Sequence, residues 1–272
     1  MLKKRIIFTF LYSDGIFVQS RNFSLQKVGD INWLKKNYNF KDISRYIDEL
    51  IILNVSRKKK NFDKFIHDVK IISKFFFIPI TVGGGIKSLK DAQNILSNGA
   101  DKILINSEIF NNPKLLDKIS KVYGEQSIIG GLDFKFTDNQ YKIYINNGKV
   151  EVPKNLKKNI KFVLDLPFGE LFLNSINKDG TGMGLDFNIL NLFDKKNSNK
   201  PIILSGGCGN VVHLKKGLIH PRIDAIATAN LFNFIGNGLK KAREELLSQN
   251  FLLPRWNEKV TSKMKMIFKN NY

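Results

Sequence analysis

The feature that most restricts this chain is its rhythm. Short apolar runs rich in β-branched residues recur along it, each closed by glycine, asparagine or aspartate and followed by a longer amphipathic stretch. Strands are expected at Arg5–Phe10, Glu49–Asn54, Ile80–Val82, Lys102–Ile105, Ser127–Leu132, Glu170–Asn174, Pro201–Leu204 and Ala225–Ala229. Helical periodicity marks Asn61–Lys74, Leu89–Asn98, Lys114–Val122, Leu156–Leu164 and Gly238–Leu247. Strands alternating with helices over about 250 residues predict an α/β fold, a parallel sheet closed into a (β/α)8 TIM barrel. Two motifs repeat within it. Thr81-Val82-Gly83-Gly84-Gly85 resembles Leu204-Ser205-Gly206-Gly207-Cys208-Gly209, and Gly99-Ala100-Asp101-Lys102-Ile103 resembles Arg222-Ile223-Asp224-Ala225-Ile226, both at a step of 123 residues. Two half-barrel repeats would produce that spacing. One barrel is expected over residues 1–250, with a C-terminal tail over 251–272.

The segment 134–152 breaks the rhythm. Tyr141–Ile145 and Lys149–Val152 flank Asn146-Asn147-Gly148, which predicts a β-hairpin insertion after strand five, projecting from the C-terminal face as a decorated loop or a lid.

Composition narrows the class. With 43% hydrophobic and 25% charged residues the chain is not disordered. Its 44 Lys+Arg against 24 Asp+Glu leave a net charge of +20, which could draw nucleic acid, a membrane surface or phosphorylated ligands. The basic residues are scattered, the densest run, Arg57-Lys58-Lys59-Lys60, is short, and no nucleic-acid motif accompanies them. Background lysine on the outer helices is the simpler reading, so neither nucleic acid nor membrane is expected as a partner. Cys208 is the sole cysteine, and His67, His213 and His220 lack metal-ligand spacing. No metal or cofactor is expected, and a reducing cytoplasm fits. Met1 to Arg5 imitates the charged start of a signal peptide, but Ser13-Asp14-Gly15 reads as a turn after a buried strand.

In such barrels chemistry sits at the C-terminal ends of the strands, with phosphate often bound beyond strands seven and eight. Gly206-Gly207 lets backbone N–H groups approach an anion without a Cβ in the way, and the residues after strand eight, Ala229 and Asn230, can add more. The repeat implies a second phosphate site at Gly84, Gly85, Asn106 and Ser107. Asp133, ending strand five, is a candidate acid or base, or else a turn aspartate. Asp179-Gly180-Thr181 after strand six suits a turn or a phosphate contact.

Together Lys4-Arg5-Ile6-Ile7, Ile47-Asp48-Glu49-Leu50, Thr81 to Ile86, Gly99 to Lys102, Leu132-Asp133, Asn174 to Thr181 and Ser205-Gly206-Gly207 resemble the HisF family, in order over about residues 1–250. That family is the cyclase subunit of imidazole glycerol phosphate synthase. The resemblance implies a glutaminase partner and ammonia received through the barrel's interior. It also implies a reaction that splits and cyclises a bis-phosphorylated ribulosyl aminoimidazole carboxamide nucleotide. It assigns an ammonia gate to Arg5, Glu49, Lys102 and Glu170, a glutaminase-facing position to Asp101, and phosphate sites to Gly84, Asn106, Gly206 and Asn230 with Asp179 and Thr181 beside them.

The departures concern the cleft. The family's first catalytic aspartate falls on Leu11, which can neither take nor give a proton, while Asp133 keeps the other half of the pair. An expected lysine is Gln19, and two further aspartates are Asn54 and Asn177. Gate kept and acid/base pair broken resembles a HisF-like branch in which a HisH-like glutaminase and a barrel supply ammonia to a separate sugar amidotransferase for surface glycans. Three readings result: ammonia relay for sugar amidation first, a cyclase of histidine biosynthesis second, a non-catalytic phosphosugar-binding scaffold third.

Overall fold

The apolar runs become strands because the chain buries both of their faces, as parallel barrel strands require. A computed structural model describes residues 3–37, 40–57, 61–153, 155–193, 200–229 and 238–254. Its strands are β1 (Arg5–Ser13), β2 (Ile16–Arg21), β3 (Ser24–Gly29), β4 (Glu49–Asn54), β5 (Ile80–Gly83), β6 (Lys102–Ile105), β7 (Ile128–Thr137), β8 (Gln140–Ile145), β9 (Val150–Glu151), β10 (Glu170–Ser175), β11 (Ile202–Ser205) and β12 (Ala225–Thr228). Helices are α1 (Ile31–Asn37), α2 (Phe40–Ile43), α3 (Phe62–Ser73), α4 (Leu89–Leu96), α5 (Glu108–Asn111), α6 (Lys114–Tyr123), α7 (Leu156–Leu164), α8 (Val211–Ile219) and α9 (Gly238–Ser248). Pairing runs β10-β11-β12-β1-β4-β5-β6-β7 and returns through β7–β10, all parallel, so the expected (β/α)8 barrel closes. Between β10 and β11 the described residues hold only a 3-10 turn, Asn188–Leu192.

Alternation along each strand divides the core in two. Ile7, Ile51, Leu104, Ile129, Phe172, Ile203, Ala225 and Ala227 fill the interior, and the larger cluster outside them seats the helices. Thr9 and Thr81 also face inward, level with Ile51 from either side, and their buried hydroxyls have no hydrogen-bond partner.

The half-barrel repeat is present in three dimensions, with one correction to its spacing. Gly84 and Gly85 have φ of 91° and 89°, and Gly206 and Gly207 have 93° and 94°. Structural equivalents in the glycine motif are therefore 122 residues apart, while Asp101 and Asp224 stay 123 apart. The second half gains its extra residue in the intervening helix, since α8 has 9 residues and α4 has 8. Asp101 and Asp224 do the same work: each carboxylate accepts the N–H that starts a strand, Ile80 at 2.8 Å and Ile202 at 2.9 Å. Asp48 does similar work one residue into β1, accepting from Ile6 N at 2.8 Å.

The hairpin after strand five is present but larger than expected. β7 runs on to Thr137, turns through Asp138 and Asn139 at φ of 50° and 58°, and pairs antiparallel with β8. The expected turn Asn146-Asn147-Gly148 then leads into the two-residue β9. A second insertion was not expected: β2 and β3 form an antiparallel arm continuing from β1. Only the start of the expected tail is described, with Leu253 buried and the Pro254 carbonyl accepting from Arg243. No helix among the described residues is long and apolar enough to cross a membrane.

Candidate active site

Adjacent strand ends bring three side chains to the C-terminal mouth of the barrel. Asn174 on β10 lies level with Asp133 on β7, and Asn106 follows β6. The Asp133 carboxylate accepts from both amides, Asn106 Nδ2 and Asn174 Nδ2, each at 3.1 Å. Burial raises its pKa to about 7 and the nearby Asp179 charge adds to this, while the two amide bonds pull the other way. A carboxyl that titrates near neutrality can both take and give a proton there. Leu11 on β1 and Leu53 on β4 line the cleft across the barrel from Asp133, and Leu104 and Phe172 line it on the strands either side of β7. Leu11 thus puts no proton-transfer group on the strand opposite Asp133.

Two glycine pairs flank this centre. A Cβ on Gly84 would come within 2.1 Å of the Asn54 carbonyl oxygen, and one on Gly206 within 2.7 Å of the Ser175 carbonyl oxygen. Each pair is therefore folded against the end of the preceding barrel strand in a conformation that favours glycine. Gly84, Gly85, Asn106 and Ser107 line one half of the cleft, about 700 Å³ in volume. Gly180, Gly206, Gly207 and Ala229 line the other, about 610 Å³.

The arm divides these halves. Ser20 and Leu25 border both, together with Leu11, Leu53, Phe172, Asn174 and Asp179. Its anchor is Asp179, whose carboxylate accepts from Ser20 Oγ at 2.5 Å and from Phe23 N at 3.0 Å. Asn22 adds bonds from Nδ2 to the carbonyls of Ile176, at 3.1 Å, and Asn177, at 2.8 Å. Asn177 in turn donates to the Phe136 carbonyl at 3.2 Å and accepts from Phe136 N at 2.7 Å, tying β7's extension to the strand-six loop. A carboxylate could not make both bonds, so asparagine at this position has a structural role that aspartate would not fill.

Some residues expected at a phosphate site are engaged otherwise. Asp179 holds the arm, and Gly180 lets it pass: a Cβ there would sit 1.9 Å from the Ser20 carbonyl oxygen. Thr181 donates to the Lys178 carbonyl at 2.8 Å, and its oxygen accepts from Met183 N at 3.3 Å, so it belongs to the turn. The Ser107 hydroxyl accepts from Asn146 N at 3.0 Å, docking the hairpin turn beside the first glycine pair. Asn230 lies outside the described residues. Asp101 is exposed on the opposite face while its carboxylate clips Ile80. Sequence reasoning missed Ser20, Leu25, Phe172 and Asn174 as cleft residues; only Asn174, at a strand end beside Asp133, carried a local signal. Gly180→Ala is expected to lift the arm, giving faster amide hydrogen exchange at residues 20–24 with little change in the barrel strands. Unchanged exchange there would contradict the anchoring role.

At the other end of the barrel the first residues of four strands close into a ring. Arg5 reaches Glu49 and Glu170, each at 2.5 Å, and Lys102 reaches Glu170 at 2.6 Å and Glu49 at 3.5 Å. Burial works against the Arg5 charge, yet Glu170 and Glu49 outweigh it and raise its proton affinity. Burial likewise works against the Glu170 carboxylate, and Arg5 and Lys102 reverse this to lower its pKa. Two positive and two negative groups meet their mutual demand, which is how such a ring survives partial desolvation. Among the described residues no cluster of His, Cys, Asp and Glu could hold a metal ion.

Comparison with known proteins agrees with this architecture. Residues 5–236 match the family described as "Histidine biosynthesis protein". The chain is 47% identical over 257 residues to a "Putative imidazole glycerol phosphate synthase subunit hisF2" of Parasynechococcus marenigrum, covering 94% of this chain and 95% of that protein. It is 33% identical over 247 residues to "Imidazole glycerol phosphate synthase subunit HisF" of Chlorobium limicola, covering 90% and 96% respectively. The HisF of Leptospira biflexa is 38% identical over 189 residues, 69% of this chain and 74% of that one. A closed eight-stranded barrel with doubled glycine turns, matched along nearly its whole length by such relatives, places the chain in the histidine biosynthesis protein family as a HisF family member.

Proposed function

We propose that the chain is the ammonia-accepting, cyclase-type subunit of an imidazole glycerol phosphate synthase assembly, with Asp133 as its one acid/base side chain. The observation that carries this is the placement of Asp133: a carboxyl with a pKa of about 7, held by two amides between two glycine cradles. The cradles take the two phosphates of an extended ligand, Asp133 moves protons between them, and the ring of Arg5, Glu49, Lys102 and Glu170 is the ammonia gate. A HisH-type glutaminase docks on the face that carries Asp101 and supplies the ammonia. The names of the relatives support this reading over sugar amidation.

One observation favours the second reading, ammonia relay to a separate sugar amidotransferase. Leu11, at the expected position of the partner carboxylate, lines both halves of the cleft and puts no proton-transfer group on that wall. The two readings part in one assay. The chain is purified with a HisH-type glutaminase and given the ribulosyl nucleotide with glutamine or with ammonium salt. Cyclised product above background supports the first reading. Stimulated glutaminase without any cyclisation transfers the case to the relay.

A further inference from the structure

The two cradles are not equivalent, and the difference lies in one side chain behind each. α4 and α8 both begin with a side-chain cap: Ser88 Oγ accepts from Asp91 N at 3.1 Å, and Asn210 Oδ1 accepts from His213 N at 3.0 Å. The residue three positions into each helix then reaches back to the chain leaving its cradle. In the first half Asp91 Oδ2 accepts from Lys87 N at 3.0 Å and from Ser88 N at 2.9 Å. In the second half His213 Nδ1 accepts from Gly209 N at 3.2 Å. Lys87 and Gly209 occupy the same place, one residue before the cap, as do Asp91 and His213 at the helices' third positions. The same staple is thus made by a carboxylate in one half and by an imidazole in the other.

A carboxylate remains an acceptor at any pH near neutrality. Nδ1 accepts only while the ring is neutral; once protonated it presents N–H to N–H and the bond is lost. We propose that His213 is a positioning residue that holds the second cradle, and only that cradle, in its anion-binding form while the ring is uncharged. The inference rests on the reading of Gly206-Gly207 as an anion site.

The surroundings suit this role. His213 is half-buried beside Gly184, where an added Cβ would lie 3.5 Å from its Cδ2 and Nε2, and Gly184 N donates to the Gly207 carbonyl at 2.8 Å, so the ring stands next to the loop that the cradle holds. Burial, with the Lys216 charge one turn on, lowers the pKa of the ring from its usual value, so it is neutral at pH 7 and above. On the packed strand-six loop the charged groups are Lys178, whose Cβ lies close to Gly207, Asp179, whose carboxylate is taken by Ser20 and Phe23 and whose pKa burial raises, and Asp186, whose carboxylate is taken by the Tyr141 hydroxyl at 2.7 Å. α9, which packs on α8, carries Lys240, Lys241, Glu244 and Glu245, with Arg243 buried against Asp48. The sign follows: the staple is intact above the His213 pKa and is lost as pH falls through it.

The test uses sulfate, whose charge is constant between pH 5 and 8, titrated into the full chain while NMR follows the amides of Gly84 and Gly85 against those of Gly206 and Gly207. The first pair is an internal reference for general effects of pH on net charge, and because Asp133 lines the first half alone, the titration is run in an Asp133→Asn background so that its protonation does not enter the difference. Expected is an affinity at the second pair about fivefold weaker at pH 5 than at pH 8 relative to the first, the factor that one lost hydrogen bond makes. His213→Asn keeps an acceptor at the same number of bonds from Cα and cannot titrate, so it should bind as the wild type does at pH 8 and abolish the differential. His213→Leu should be weak at every pH; if it does not fold, the asparagine variant still decides. Equal pH dependence at both pairs, tighter binding at the second pair in acid, or a differential surviving in His213→Asn would each overturn the inference. Sulfate shifts at the first pair with none at the second at any pH would overturn the second cradle itself and this inference with it.

Discussion

Asp133→Asn is expected to lower cyclisation of the ribulosyl nucleotide by about 10²–10⁴-fold, the range over which a single positioned acid or base acts. The wild-type kcat/KM should rise with pH through about 7 as the carboxylate becomes the base, and that inflection should vanish from the residual rate of the variant. Stability should move the opposite way. The folded-state pKa of Asp133, about 7, lies above its ordinary value of 3.8. The favourable contribution of its protonated form is therefore complete below about 3.8 and is lost as pH rises through 7. Asparagine carries no charge to bury, so the variant should melt higher than the wild type at pH 8, with the gap narrowing toward pH 5. A variant that loses activity and stability together at pH 8 would mean that Asp133 is a structural turn residue. Leu11→Asp is the companion change; a rise in rate would show that the missing carboxylate limits this chain.

The largest expected loss of stability comes from Arg243→Leu, at about 3–5 kcal/mol in urea unfolding. Arg243 and Asp48 are almost fully buried, paired at 2.6 and 3.1 Å, and the guanidinium also donates to the carbonyls of Tyr46 and Pro254. Removing the cation strands the Asp48 carboxylate, which still holds the Ile6 N–H near the start of β1. Adding Asp48→Asn removes the charge but keeps an acceptor for Ile6, so the double variant should recover much of the loss. A single-variant loss below roughly 1 kcal/mol would place this pair with exposed ion pairs of small net worth.

Much of the barrel was legible because its strands are buried on both faces. Glu49–Asn54 and Lys102–Ile105 match expectation at both ends, since a charged residue opens each and a polar residue follows or closes it. The arm was not legible. β3 buries no residue fully, so Ser24–Gly29 lacks alternation, and the turn at Asn22 and Phe23 is left-handed without a glycine to announce it. The hairpin was found by its second, minor turn because Asn146-Asn147-Gly148 contains glycine, whereas Asp138-Asn139 does not. In the site, Asp133 and both glycine pairs could be read from strand ends and repeats. The reassignment of Asp179 and Asn177 to anchoring could not, because it depends on an arm more than 150 residues away in sequence. The step of 123 residues misaligned the glycine motifs by one for a similar reason: a helix lengthened by one residue leaves no mark on either motif.

The arm also sets an order of departure. It stands between two chambers, each with its own cradle, and Ser20 and Leu25 belong to both walls. On the cyclase reading a ligand anchored at both ends passes beneath the arm and is held twice. When the link between its ends is cut, each fragment keeps one anchor in one chamber. Neither fragment then waits for the other to leave, and the weaker cradle sets which goes first.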